Sequence, residues 1–184
     1  MTLAHAIMAL LVEYPYSGYD LSKELNDCVN CFWTASHQQI YSELAKLESK
    51  SWVISKAFHQ ENRPDKKLYF LTEQGRQHLI EWIFQPSIIT GIKEDLLVKT
   101  LVGYLVPHEI ILRELETRCQ FHLEKLAFLQ SQEQEILLNF QKLSPETKFH
   151  YLILRRGIHY HTGWIAWCGE ALQLLITSNH KNSS

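Results

Sequence analysis

Between residues 36 and 83 the spacing of apolar side chains changes twice, from a helical repeat to strict alternation and back. This restricts the chain to folds that set a β-hairpin between helices. Ile40, Leu44 and Leu47 recur at helical spacing, and Ser36-His-Gln-Gln39 ahead of them reads as a capping box that starts the helix near Ser36. Next, Trp52, Ile54, Lys56 and Phe58 alternate with Val53, Ser55 and Ala57, and later Leu68 and Phe70 alternate with Tyr69 and Leu71, which predicts two short strands. The segment His59 to Lys67 between them is polar and carries Pro64, so the expected element is a hairpin with an extended basic tip, a wing. Thr72 is placed to cap a further helix through Leu79, Trp82 and Ile83, which Gln85-Pro86 ends.

Upstream, Leu3, Ala6, Ile7, Leu10 and Leu11 mark one face of a helix that stops at Tyr14-Pro15. Ser17-Gly-Tyr-Asp20 reads as a second capping box, and the helix after it places Leu21, Leu25 and Val29 on one side. The third helix then keeps Ile40, Leu44 and Leu47 inward and leaves His37, Gln38, Tyr41, Ser42 and Lys46 on a polar outer face. Helix, helix, polar-faced helix, basic hairpin, helix is the order of a winged helix-turn-helix.

From Ile92 the pattern is helical throughout, with Leu96, Leu97, Leu101 and Leu105 in a first helix and Pro107 in the first turn of the next. Positions 112, 115, 119, 122, 126, 129, 133, 136 and 140 then alternate by three and four. They read Leu, Leu, Cys, His, Leu, Leu, Glu, Ile, Phe, a coiled-coil-like seam with polar faults at His122 and Glu133. An unbroken helix from Pro107 to Phe140 spans about 50 Å at 1.5 Å per residue, and a partner chain is its simplest cover. Ser144-Pro145 opens a last helix with Phe149, Ile153, Tyr160, Trp164, Cys168, Ala171 and Leu175 as its apolar stripe. The expected architecture is mainly α with a small β-hairpin: a winged helix-turn-helix over residues 1–86, a helical dimerisation domain over 87–178 and a flexible tail over 179–184. The dimer seam is assigned to Leu112, Leu115, Leu126, Leu129, Ile136, Phe140, Tyr160, Trp164 and Trp167.

Among 184 residues, 46% are hydrophobic, enough to build cores without disulfides or metals. No apolar run approaches the roughly 20 residues of a membrane span, and no export signal stands at the N-terminus, so a cytoplasmic protein without a membrane partner is expected. The formal charge is −2, yet six basic residues face three acidic ones between Lys46 and Lys67, which locates the positive charge at the third helix and the wing. Cys28-x-x-Cys31 lacks the further ligands of a structural zinc site; a thiol- or metal-responsive sensor built on Cys28 and Cys31 is the alternative reading. His159-x-His161 points in two directions on a helix, so these histidines are expected at the surface or an interface. No nucleophile elbow, phosphate-binding glycine loop or dinucleotide fingerprint is present, and no catalytic residues, metal or cofactor are assigned.

The N-terminal half resembles the PadR family of bacterial transcriptional regulators. The matching residues are the Leu3–Leu11 helix, Ser17-Gly-Tyr-Asp-Leu21, Ile40-Tyr41 with Leu44 and Leu47-Glu48, Lys67-Leu-Tyr-Phe-Leu-Thr72, Gly75-Arg76 and Leu79. The chain departs from the family pattern at Ser42, where proline is usual, and at Ser51-Trp52, where a glycine usually precedes the first wing strand. The long C-terminal helices resemble the subgroup that dimerises through them. The resemblance implies a homodimeric regulator, in the family's usual mode a repressor, on double-stranded DNA carrying an inverted repeat. Gln38 and Gln39 are then expected to read base edges, and Ser36, Tyr41 and Ser42 to bond phosphates. His37 shares that face, and Lys46, Arg63, Lys66 and Lys67 supply charge. Resemblance to phenolic-acid-responsive members adds a small aromatic effector, with Tyr151, Tyr160, Trp164 and Trp167 either lining its pocket or packing a core or interface.

Overall fold

The computed structural model describes residues 3–27, 35–60, 63–89, 91–138 and 143–179; the side chains of 26, 27, 59, 60, 63–65, 178 and 179 are outside that description. The chain forms two compact units, Met1–Thr90 and Gly91–Ser184. The first contains α1 (Leu3–Leu10), β1 (Tyr16–Ser17), α2 (Gly18–Asp27), α3 (His37–Ser49), β2 (Val53–Gln60), β3 (Arg63–Leu71) and α4 (Glu73–Ile83). The second contains α5 (Asp95–Leu101), a 3-10 turn at Gly103–Leu105, α6 (His108–Leu137) and α7 (Pro145–Asn179). No described helix is long and apolar enough to cross a membrane.

In the first unit a single core joins the helices to the sheet: Ile7 and Met8 of α1, Leu21 and Leu25 of α2, Ile40, Leu44 and Leu47 of α3, and Val53 of β2 are all buried. The α1 stripe is turned slightly from the expected one, with Ala4 and Met8 fully inside while Leu3, Ala6 and Leu10 pack on its margin. Both helices start at the expected serine, with the reciprocal capping box closed at Ser36 and only its first half at Ser17. The Ser36 hydroxyl accepts from the Gln39 amide while the Gln39 side chain accepts from the Ser36 amide at 2.8 Å. The Ser17 hydroxyl accepts from the Asp20 amide at 3.1 Å and donates to its carboxylate at 2.8 Å. Val29, Cys28 and Cys31 lie outside the described residues.

The sheet has three strands, not two, in the order β1-β3-β2 and antiparallel throughout. β1 adds two residues to the outer side of β3, pairing Tyr16 with Tyr69 and Ser17 with Leu68; two residues carry no alternation to read. The hairpin is also more regular than expected. Strand pairing runs from Val53↔Leu71 to Gln60↔Arg63, with an irregularity between Phe58 and Gln60, so Lys66 and Lys67 stand on a strand instead of on a loop tip. Polarity had marked the segment as loop, but polarity reports exposure, and a solvated two-stranded ribbon pairs its backbone without an apolar face.

The turn from α3 into β2 accounts for one of the departures noted above. The Ser51 amide bonds Glu48 O and the Trp52 amide bonds Leu47 O, the two reversed hydrogen bonds of a Schellman ending, and Ser51 takes φ 58°. That left-handed position is where glycine is favoured. Thr72 ties the far side of the sheet to the same turn, donating its hydroxyl toward Ser51 O at 2.7 Å and Trp52 O at 3.0 Å while accepting from the Gly75 amide. Gly75 is required there, because a Cβ would lie 2.1 Å from the Trp52 carbonyl oxygen.

In the second unit α6 and α7 run antiparallel, and the expected seam is covered by the chain's own last helix. Leu115, His122 and Leu129 of α6 are buried, with Leu112, Cys119, Leu126 and Ile136 half-buried beside them. Pro107 sits at the N-cap of α6, one position earlier than expected. On α7 the expected stripe holds from Tyr160 to Leu175, with Cys168 buried and Tyr160, Trp164, Ala171 and Leu175 half-buried, but its start is displaced: Phe149 and Ile153 are exposed, while Ile158 and His161 are buried. Phe140 and residues 180–184 are outside the described residues.

Candidate nucleic-acid interface

The outer face of α3 is built by what its inner face does. With Ile40, Leu44 and Leu47 fully inside, helical geometry turns Ser36, His37, Gln38, Gln39, Tyr41, Ser42 and Lys46 outward, and all seven are exposed. Gln39 has a prior engagement, since its side-chain oxygen closes the capping box and only its amide nitrogen remains to meet a base edge. Tyr41 leans on α2: a Cβ at Gly18 would fall 2.5 Å from its ring, so the glycine makes room for the tyrosine. Tyr19, which the sequence reading did not select, stacks on His37 with ring centroids 6.0 Å apart and extends the polar face toward α2. Its signal was its place beside Gly18 at the start of that helix.

The wing lysines stand close to this face and each has an internal partner. Lys66 pairs with Asp20 of α2 at 2.9 Å, Lys67 pairs with Glu48 of α3 at 3.4 Å, and Lys46 pairs with Glu43 along α3 at 2.9 Å. Asp20 and Glu48 are held below the usual carboxylate range, Asp20 by the hydrogen bond from Lys66 and Glu48 by the Ser55 hydroxyl with Lys67 adding to it. Both are therefore ionised at neutral pH. Lys50, Lys56 and Lys67 each hold the ammonium over a ring, of Trp52, Phe70 and Tyr69 respectively. Arg63 opens β3, and its side chain is outside the described residues.

Family comparison decides the identity. The description "Transcriptional regulator PadR-like family" matches residues 7–81, and "Virulence activator alpha C-term" matches residues 92–175. The chain is 30% identical to the "Probable transcriptional regulator" of Mycobacterium tuberculosis over 186 residues, which covers 95% of this chain and 98% of that protein. It belongs to the PadR-like family of transcriptional regulators. The PadR fold is also that of the crystal structure of Bacillus subtilis PadR in complex with operator DNA, with a TM-score of 0.77 and 26% identity across 94% of this chain and 98% of that one. The same protein solved with p-coumaric acid gives a TM-score of 0.70 over 94% and 98% of the two chains. The PadR-like family is one of regulators and not of enzymes.

In this PadR-family chain the two polar faults of the α6 seam find partners on α7. His122 and His161 meet with their Nδ1 atoms 2.7 Å apart, both rings buried, and Trp164 stacks parallel on His122 at 5.1 Å. Glu133 accepts from Tyr151 at 3.0 Å and from Arg155 at 2.8 Å. His161, expected at a surface or interface, is thus a core residue, while His159 is exposed as expected. The tetrad Tyr151, Tyr160, Trp164 and Trp167 packs with these groups: Tyr160 meets His122 edge-on, and Trp164 and Trp167 meet at 84°. A cleft of this unit among the described residues lies elsewhere, about 420 Å³ lined by Leu96, Arg113, Glu114, Thr117, Arg118 and Phe121, with Arg118 tied to Glu94 at 2.7 Å.

Proposed function

We propose that this PadR-family protein is a sequence-specific DNA-binding repressor that acts as a homodimer on an inverted repeat. The observation that carries the reading is the exposed outer face of α3, polar at Ser36, His37, Gln38, Gln39, Tyr41, Ser42 and Lys46, capped at Ser36 and flanked by the lysines of β3. Placed in a major groove, Gln38 and the free amide of Gln39 meet base edges. Ser36, His37, Tyr41 and Ser42 bond phosphates, and Lys46, Arg63, Lys66 and Lys67 neutralise them. Relatives support it: Bacillus subtilis PadR is described as a negative transcriptional regulator and has been solved with operator DNA.

Dimerisation is read from the second unit, where Val98, Leu101, Leu105, Phe149 and Leu152 stay well exposed on a single chain. Leu112, Leu126, Ile136, Tyr160, Trp164 and Trp167 contribute at its half-buried margin. Leu115 and Leu129 act indirectly, by holding α6 on α7. A small aromatic effector is the proposed second ligand, with the cleft at Arg113, Arg118 and Phe121 as its place; Bacillus subtilis PadR has been solved with p-coumaric acid. Selection of bound duplexes from a random-sequence pool tests the main reading. An enriched inverted repeat that resists random competitor and loses affinity steeply with salt is the expected result; recovery of unenriched sequence contradicts it.

A further inference from the structure

Among the described residues, two of the three paired carboxylates on the proposed DNA face are also fixed. Asp20 holds Lys66 and is pinned by the Ser17 hydroxyl at 2.8 Å; Glu48 holds Lys67 and is pinned by the Ser55 hydroxyl. Glu43, which holds Lys46 one turn along the same helix, has no second bond of this kind among the described residues. The four charged side chains of the two fixed pairs remain 36 to 53% exposed, so phosphate can reach them.

We propose that Asp20 and Glu48 determine specificity: they are fixed negative charges that admit DNA phosphate to Lys66 and Lys67 in one backbone register and repel it in others. The inference rests on the DNA-binding reading above. Binding to random DNA is almost wholly lysine–phosphate attraction averaged over many registers. A carboxylate that swings away when phosphate arrives weakens all registers alike. One that a serine holds in place leaves the lysine open on its far side and meets a misplaced phosphate as a like charge. Such penalties against the wrong complex raise the ratio of operator to random affinity even where they lower both. They also blunt the response to salt, since a lysine that meets phosphate while its carboxylate stays beside it releases less than a full counterion from the DNA. The chain's formal charge of −2 fits a protein whose attraction to random DNA is held down.

The test is fluorescence anisotropy of the full-length chain on its selected operator and on a random duplex, at two salt concentrations. For D20N/E48Q, which keeps groups able to bond the two serines, random-duplex affinity is expected to rise about tenfold, roughly threefold per carboxylate. Its salt slope steepens by up to about 0.9 per carboxylate. Operator affinity rises no more than about threefold, so the ratio falls. Glu43→Gln and the exposed Glu81→Gln remove the same charge and leave the ratio unchanged. Ser55→Ala frees Glu48 without changing net charge and lowers the ratio with little change in slope, which separates fixed position from mere charge and serves if Asp20→Asn disturbs α2. Equal gains on both duplexes, or an unchanged ratio in both D20N/E48Q and Ser55→Ala, overturn the proposal. A wild-type chain that prefers no duplex overturns it together with the DNA-binding reading, and is distinguished by failing before any variant is compared.

Discussion

The two units are both mostly helical and bury their side chains in different ways. The first closes twelve buried apolar residues into one cluster that includes all of its helices and its sheet. The corresponding cluster of the second has only four, and its seam is continued by polar pairs, His122 with His161 and Glu133 with Tyr151 and Arg155. The second also leaves Leu101 76%, Leu105 69% and Phe149 70% exposed. An apolar core stabilises a fold without fixing one helix register against another, whereas a buried polar group with a single partner penalises every register but one. On the proposed reading, the first unit holds a rigid face toward DNA, and the second aligns two long helices while leaving apolar surface exposed for a second copy of the chain.

The largest effect that would break this comparison lies in the first core. Leu44→Ala, at a fully buried position, is expected to cost about 3 kcal/mol (range 2–5) in chemical denaturation of the full chain; a cost below 1 kcal/mol would mean that the core is looser than its burial indicates. Acid should act on the other unit. The His122 pKa is pushed down from 6.5 to about 4, first by burial and then by the neighbouring His161 and Arg118. The unfolded chain therefore takes up the proton first. The stabilisation is complete above pH 6.5, is lost as pH falls toward 4, and changes little below that, a span of about 2–3 kcal/mol. Melting followed between pH 7 and 4 should show this slope, and a double substitution, H122L with H161L, should abolish it without loss of stability at pH 7.

Self-association probes the exposed side of the second unit. Leu101→Glu with Leu105→Glu should raise the dissociation constant of the proposed dimer by tenfold or more in sedimentation equilibrium, equivalent to about 1.4 kcal/mol, with little change in the monomer's circular dichroism. An unchanged dimer would place the interface elsewhere. The smallest expected effect has the opposite sign. Ser51→Gly relieves the left-handed φ of 58° at the end of α3, and after the entropy added to the unfolded chain it should stabilise by about 0.5 kcal/mol; a loss on thermal melting would show that the serine is not strained.

Much of the fold was legible because α3 buries Ile40, Leu44 and Leu47 behind a cap at Ser36, α4 buries Leu79 behind a cap at Thr72, and the strands of the hairpin alternate in sequence. β1 was not, since Tyr16–Ser17 joins the sheet by backbone pairing alone. The strands of the wing were read too short because the residues at their paired ends are polar, although backbone pairing reaches Arg63. The partner of the α6 seam was assigned to a second chain because heptad spacing shows a face to be covered and not what covers it. The clue was two polar faults with complementary groups on α7, His161 against His122 and Tyr151 against Glu133, at nearly matching antiparallel separations. On the proposed DNA face, exposure of α3 was readable from its inner stripe, whereas the internal pairing of Lys66 with Asp20 and Lys67 with Glu48 needed the three-dimensional arrangement.

The most direct test of the central claim is a hydroxyl-radical footprint of the full-length protein on its selected operator. The account predicts two protected half-sites of opposite orientation with centres about 34–36 Å apart, or a whole number of helical turns, both lost together in a Gln38→Ala, Ser42→Ala variant that still dimerises. A single unrepeated protected stretch, or a footprint that survives this variant unchanged, would contradict it.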